Sequence, residues 1–173
     1  MARYAERSLG RQFAFQFLFS LEFLDTPWEH ALGEFWRMQP ATLTDDGYND
    51  DELPISDRSF AQKADQEKAK AYAEELIRGV CESHSDLNAH IATHLDNWKP
   101  ERVGRIEWVI MRLALYEMLH CSRIPNTVII AEAVQLANSF GDPESPRFVN
   151  GLLNQLALSI SENDVDNAEQ DAT

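Results

Sequence analysis

Basic residues are scarce in this 173-residue chain: 15 lysines and arginines face 29 aspartates and glutamates, for a formal charge of −14. Such a balance argues at first sight against a nucleic-acid ligand, whose phosphates repel an acidic surface. Cysteine is nearly absent too. Cys81 and Cys121 both sit inside helical patterns, which predicts buried thiols in a reducing cytoplasm rather than a disulfide framework. No apolar run reaches eighteen residues free of charge, so no membrane span is expected. The N-terminus lacks the basic, apolar, small-residue succession of a secretory leader. There is no glycine-rich phosphate loop, no GxSxG elbow and no HExxH pair. His90 and His94 stand four apart, but that spacing alone does not make a metal site. Glu107 and Glu117 would lie about 15 Å apart along one helix, too far for an acid–base pair. The sequence therefore predicts no enzyme, no metal and no cofactor.

Apolar residues are plentiful, at 44% of the chain, and their periodicity is helical throughout. From Val103 to Leu119 they fall on nearly every side of a helical wheel, with only Glu107, Arg112 and Glu117 interrupting. A helix apolar all round is a buried central helix, and those three charges must find partners or reach water. Residues 6–24 form an amphipathic helix with Leu9, Phe13, Phe17, Leu21 and Leu24 on one stripe. Thr26-Pro27-Trp28-Glu29 reads as a capped start for a second helix. A third runs from about Arg58 to Cys81, and Ser85 or Asp86 opens a fourth that turns Leu87, Ile91 and Leu95 inward. Asn126 or Thr127 caps the sixth, carrying Val128, Ile130, Ala131, Val134, Leu136 and Ala137, with Gly141 as a left-handed terminator. Ser145-Pro146 reads as an N-cap and first turn for the last, which buries Phe148, Val149, Leu152, Leu153 and Leu156. Seven helices and no strand predict an all-α fold in two small packed helical bundles.

The acidic charge is unevenly placed. Residues 40–59 and 161–173 each carry a net −5, and setting both aside brings the total to −4. The first reads as an acidic insertion, the second as a disordered acidic tail, around a single helical domain spanning 1–160. Fields act locally, within about a Debye length of roughly 8 Å, so a basic patch can exist on the remaining body. Arg3, Arg7 and Arg11 recur every four residues, a line of guanidinium groups suited to a phosphate backbone or, equally, an ordinary solvated face. At the start of the last helix, backbone N–H groups and Arg147 favour an anion. Phe148 could stack on an unpaired base or fill the core, and Asn150 could read a base edge or cap a neighbour.

The series MRLALYEM, IPNTVIIAEAVQLANSFG and RFVNGLLNQL, with EWVI before it and RQFAFQFLFS near the N-terminus, closely resembles the NusB family of bacterial transcription antitermination factors. The resemblance covers about the first 24 residues and the stretch from Tyr72 to Leu156. It implies a factor that binds the boxA sequence of nascent ribosomal RNA together with NusE, a small-subunit ribosomal protein, within an antitermination complex on RNA polymerase. It implies RNA contacts at Arg3, Arg7, Arg11, Glu144, Arg147, Phe148 and Asn150. It also implies a partner surface at Phe19, where the family often has Tyr, and at Glu107, which could instead form an internal salt bridge with Arg11 or Arg112. A homodimer stays open. The alternative is a protein-binding paralogue of the same fold without RNA. A similar module precedes some ribosomal RNA methyltransferases, but this chain ends soon after the module, which speaks against that third reading.

Overall fold

The computed structural model describes the backbone of residues 2–38, 55–95 and 103–170, and side chains over 5–38, 65–95 and 103–161. Seven α-helices and no strand are present among the described residues: α1 (Ala2–Leu21), α2 (Trp28–Arg37), α3 (Ile55–Glu82), α4 (His84–Ala92), α5 (Arg105–His120), α6 (Asn126–Phe140) and α7 (Ser145–Gln170). They fall into two compact units, residues 1–78 and 79–173, with the division inside α3.

In the first unit, α1 buries Phe13, Ala14, Phe15, Phe17 and Leu18. Phe13 meets Trp36 edge-on and Phe17 meets Phe35 in the same way, at centroid distances of 5.5 and 5.3 Å. Aromatic edges on aromatic faces add to the gain from burial, and they fasten α2 to α1. Glycine sets the approach of α1 to α3: a Cβ on Gly10 would lie 2.8 Å from the Ala69 carbonyl and 2.9 Å from the Tyr72 ring. Leu24, placed on the buried stripe by its spacing, lies beyond the end of α1 and is 50% exposed. The helix stops at Leu21, so the spacing rule no longer governs it.

The second unit is built around α5, which packs against α4, α6 and α7. Val109 to Leu115, Glu117 and Met118 are all buried, as expected of a helix with no polar face. Arg112, 6% exposed, donates from Nη1 to His84 Nε2 at 2.9 Å. Guanidinium nitrogens do not accept, so His84 Nε2 carries no proton here. The buried stripe of α6 is Ile129, Ile130, Ala133, Leu136 and Ala137, whereas Ala131 is exposed. α7 buries Val149, Leu152, Leu153 and Leu156.

Helix boundaries differ from the sequence reading in instructive ways. Pro27 and Pro125 are themselves the N-cap residues of α2 and α6, in extended backbone and without a side-chain cap. Gly141 is extended rather than left-handed, with φ −93° and ψ 179°. Its role is space: a Cβ there would lie 2.6 Å from Ser145 and 2.8 Å from the Ala137 carbonyl. The expected insertion at 40–59 lies outside the described residues apart from 55–59, whose backbone opens α3. The backbone of α7 stays helical to Gln170, through most of the stretch expected to be a disordered tail; no glycine or proline follows Gly151 to stop it. Cys81 and Cys121 remain thiols, half-buried rather than fully so. No helix among the described residues is long and apolar enough to cross a membrane.

Candidate functional site

Two groups of candidate side chains take shape, one in each unit. On α1, Arg7 is half-buried and Arg11 is only 2% exposed. Both guanidinium groups lie 5.7 Å from the centroid of the Tyr72 ring on α3. A phenol ring attracts cations through its quadrupole, so Tyr72 gathers the two arginines that helical spacing only aligns. This corrects the expectation for Arg11: a guanidinium withdrawn this far from solvent is a packing group, not an outward phosphate ligand. The side chain of Arg3 lies outside the described residues. Beside this cluster Lys68, itself exposed, donates to Glu6 at 2.7 Å.

At the entrance to α7 the residues Glu144 to Asn150 separate by exposure. Val149 is fully buried, while Arg147 and Asn150, three apart on the same side, are exposed together with Glu144. Phe148 is half-buried. Its amide donates to the Glu144 carbonyl at 3.1 Å, and Asn154 Nδ2 donates to the Asn150 carbonyl at 2.7 Å. The expected N-cap residue does something else. Ser145 is already helical, and its buried Oγ accepts from the Asp142 amide at 2.9 Å and donates to Glu107 Oε1.

The proposed partner residues are placed as follows. Phe19 is half-buried near the end of α1, stacked with Phe15 at 5.9 Å and edge-on to Phe23 at 5.2 Å. Phe23 is 60% exposed, so the aromatic row reaches the surface. Glu107 is half-buried in the first turn of α5 and folds back over the N-cap Gly104 so closely that a Cβ there would strike its Oε2. Its carboxylate accepts a hydrogen bond from the Ser145 hydroxyl, a partner that the sequence did not suggest.

Elsewhere the polar chemistry is local. His94 Nδ1 lies 3.0 Å from the His90 carbonyl, which can only accept, so that nitrogen carries the proton. No group of three or more His, Cys, Asp or Glu is arranged to hold a metal among the described residues. Burial first, and the neighbouring His94 second, hold the His90 imidazole below its usual range. A depressed histidine pKa means that the unfolded chain binds the proton more readily. The stability that His90 contributes is therefore complete above the ordinary value of 6.5 and is lost as pH falls from there through the folded value. His90→Gln should flatten the loss of thermal stability as pH falls below 6.5 relative to the parent, as thermal melts on the acid side of that value would show.

Sequence reading missed the long-range contacts of Tyr72 and Ser145. Neither has a local signal, because each acts on a helix far along the chain, Ser145 across 38 residues. A tyrosine facing an Arg-x-x-x-Arg pair becomes visible only once α1 and α3 are known to touch.

Comparison with known proteins identifies the family. The NusB family model matches residues 9–158. The transcription antitermination protein NusB of Nitratidesulfovibrio vulgaris is 34% identical over 154 residues, 89% of this chain and 88% of that one. A solved structure of T. maritima NusB shares 30% identity and a TM-score of 0.66, covering 87% of this chain and 89% of that one. A structure of the antitermination factors NusB and NusE in complex with double-stranded RNA has a TM-score of 0.66 at 18% identity, covering 89% and 97%, a likeness that speaks to the fold alone. With the match running through all of α2 to α6 and through parts of α1 and α7, the chain belongs to the NusB family of transcription antitermination proteins.

Proposed function

We propose that this protein is a cytoplasmic RNA-and-protein adaptor, which binds boxA-type single-stranded RNA jointly with NusE and thereby serves ribosomal RNA transcription within an antitermination complex on RNA polymerase. The observation that carries the RNA half is the solvent face of early α7. Arg147 and Asn150 stand exposed beside the half-buried ring of Phe148, which combines a charge for phosphate, an amide for a base edge and a face for stacking. Arg7, held against Tyr72, supplies a second cation, and Arg3 extends the same arm. Arg11 acts from beneath by packing. Glu144 limits affinity for phosphate and favours base amino groups. The partner half rests on Phe19, whose aromatic row continues to the exposed Phe23, and on the Glu107 carboxylate.

The test is a titration of labelled boxA RNA across a salt series, with and without NusE. Binding by the protein alone should be weak and fall steeply with salt. Arg7→Ala and Arg147→Ala should each weaken it and each lower the slope of log affinity against log salt by about one. If neither substitution alters binding while the fold persists, the RNA surface lies elsewhere.

The second reading, a protein-binding paralogue without RNA, is favoured by the charge of −14 and by the burial of Arg11. No RNA binding at low salt with NusE present would establish it over the first.

A further inference from the structure

Glu107 and the Glu144–Asn150 segment belong to two different proposed surfaces, yet they are joined by a single hydroxyl. Ser145 is 3% exposed, and its Oγ is committed at both ends. It accepts from the Asp142 amide at 2.9 Å and gives its only hydrogen to Glu107 Oε1. The Ser145 amide in turn donates to the Asp142 carbonyl at 2.9 Å, which closes a tight turn at the entrance to α7. Two glycines permit the approach. A Cβ on Gly141 would press on Ser145 at 2.6 Å, and a Cβ on Gly104 would collide with the Glu107 carboxylate. The carboxylate rotamer and the position of the first turn of α7 therefore determine each other. That turn carries Arg147 and Phe148.

We propose that the Ser145–Glu107 hydrogen bond couples the two surfaces, so that a basic protein partner engaging Glu107 and single-stranded RNA engaging Arg147–Asn150 raise each other's affinity. This rests on the function proposed above. A carboxylate has several lone-pair sites, so Glu107 can hold Ser145 and receive a cation together. A cation at Glu107 orders the rotamer that α7 needs, and RNA on α7 orders the rotamer that the partner meets. Coupling of this kind is reciprocal and typically amounts to about five- to 150-fold in affinity. Glu107 and Ser145 act here as positioning residues for the RNA segment.

The experiment measures one ratio in the full chain: the affinity for labelled boxA RNA at saturating NusE divided by that without NusE. In the parent the ratio should be about tenfold or more. Ser145→Ala should bring it to within about twofold of one, and so should Glu107→Ala. Glu107→Gln keeps an acceptor for the Ser145 hydroxyl, so it should preserve most of the ratio even where loss of charge weakens NusE itself. That rescue separates the hydrogen bond from the charge and from mere loss of structure. Should Ser145→Ala fail to fold, the contrast between Glu107→Ala and Glu107→Gln decides. A folded Ser145→Ala protein with the parental ratio overturns the coupling, as does equal loss in Glu107→Ala and Glu107→Gln. A parental ratio of one with tight RNA binding also overturns the coupling and leaves the RNA reading standing. Absence of RNA binding under both conditions overturns both.

Discussion

Glu107→Lys should lose NusE binding by about a hundredfold or more. The substitution replaces a half-buried carboxylate with an ammonium on the face proposed to meet a ribosomal protein, a class rich in basic side chains. Like charges set against each other at an interface cost several kcal/mol, and each 1.4 kcal/mol is about tenfold in affinity. The structure adds a second, internal consequence. Glu107 accepts from the buried Ser145 hydroxyl, and leaving a buried donor unsatisfied costs about 1–3 kcal/mol. The melting temperature should therefore fall by several degrees as well. Glu107→Gln keeps the acceptor and removes only the charge, so it should melt near the parent while binding NusE less tightly. Calorimetric titration with NusE, paired with thermal melts of all three proteins, separates these contributions. Normal NusE binding by Glu107→Lys would remove Glu107 from the partner surface.

The central helix was the most legible part of the chain, because a run apolar on every side has only one stable environment. Val109 to Leu115 are buried accordingly. Proline and glycine marked the ends of helices reliably, but their individual roles did not follow. Pro27 and Pro125 occupy the cap position itself, and Gly141 provides room for Ser145 instead of a reversed backbone. The stripe of α6 was read through Val128 and Ala131, while the structure buries Ile129 and Ala133. With apolar residues at nearly every position, the period could not choose the register, and packing chose it. Depth was the recurring blind spot at the site. Spacing along α1 gives the angle of Arg7 and Arg11 about the helix axis and says nothing about what covers them. Both guanidinium groups meet Tyr72, from a helix far along the chain, yet Arg7 is half-buried and Arg11 buried. On α7 the angle sufficed for Arg147 and Asn150, which are exposed as the binding expectation requires. For Phe148 the sequence left core and stacking as alternatives, and the structure leaves the residue half-buried, divided between the packed side and solvent.

That division makes Phe148 and its neighbour Val149 a matched pair. Val149 is fully buried, and Phe148 half so. Stacking of a base on an aromatic side chain is worth about 1–3 kcal/mol per base, or roughly five- to 150-fold in affinity. Phe148→Leu retains an apolar side chain of similar volume for the packed portion, a type of change that usually costs less than about 1.5 kcal/mol. It removes the flat face on which a base would stack. RNA affinity should therefore drop about tenfold or more, with a melting temperature within a few degrees of the parent. Val149→Ala should behave in the opposite sense. It deletes two buried methyl groups, at about 0.8 kcal/mol for each plus a cavity contribution, and should lower the melting temperature while changing RNA affinity by less than about threefold. Melts and boxA titrations at one fixed salt concentration provide both readouts on both proteins. If Phe148→Leu binds RNA as well as the parent, the ring serves the core alone, and recognition at this end of α7 must be carried by Arg147 and Asn150 without stacking.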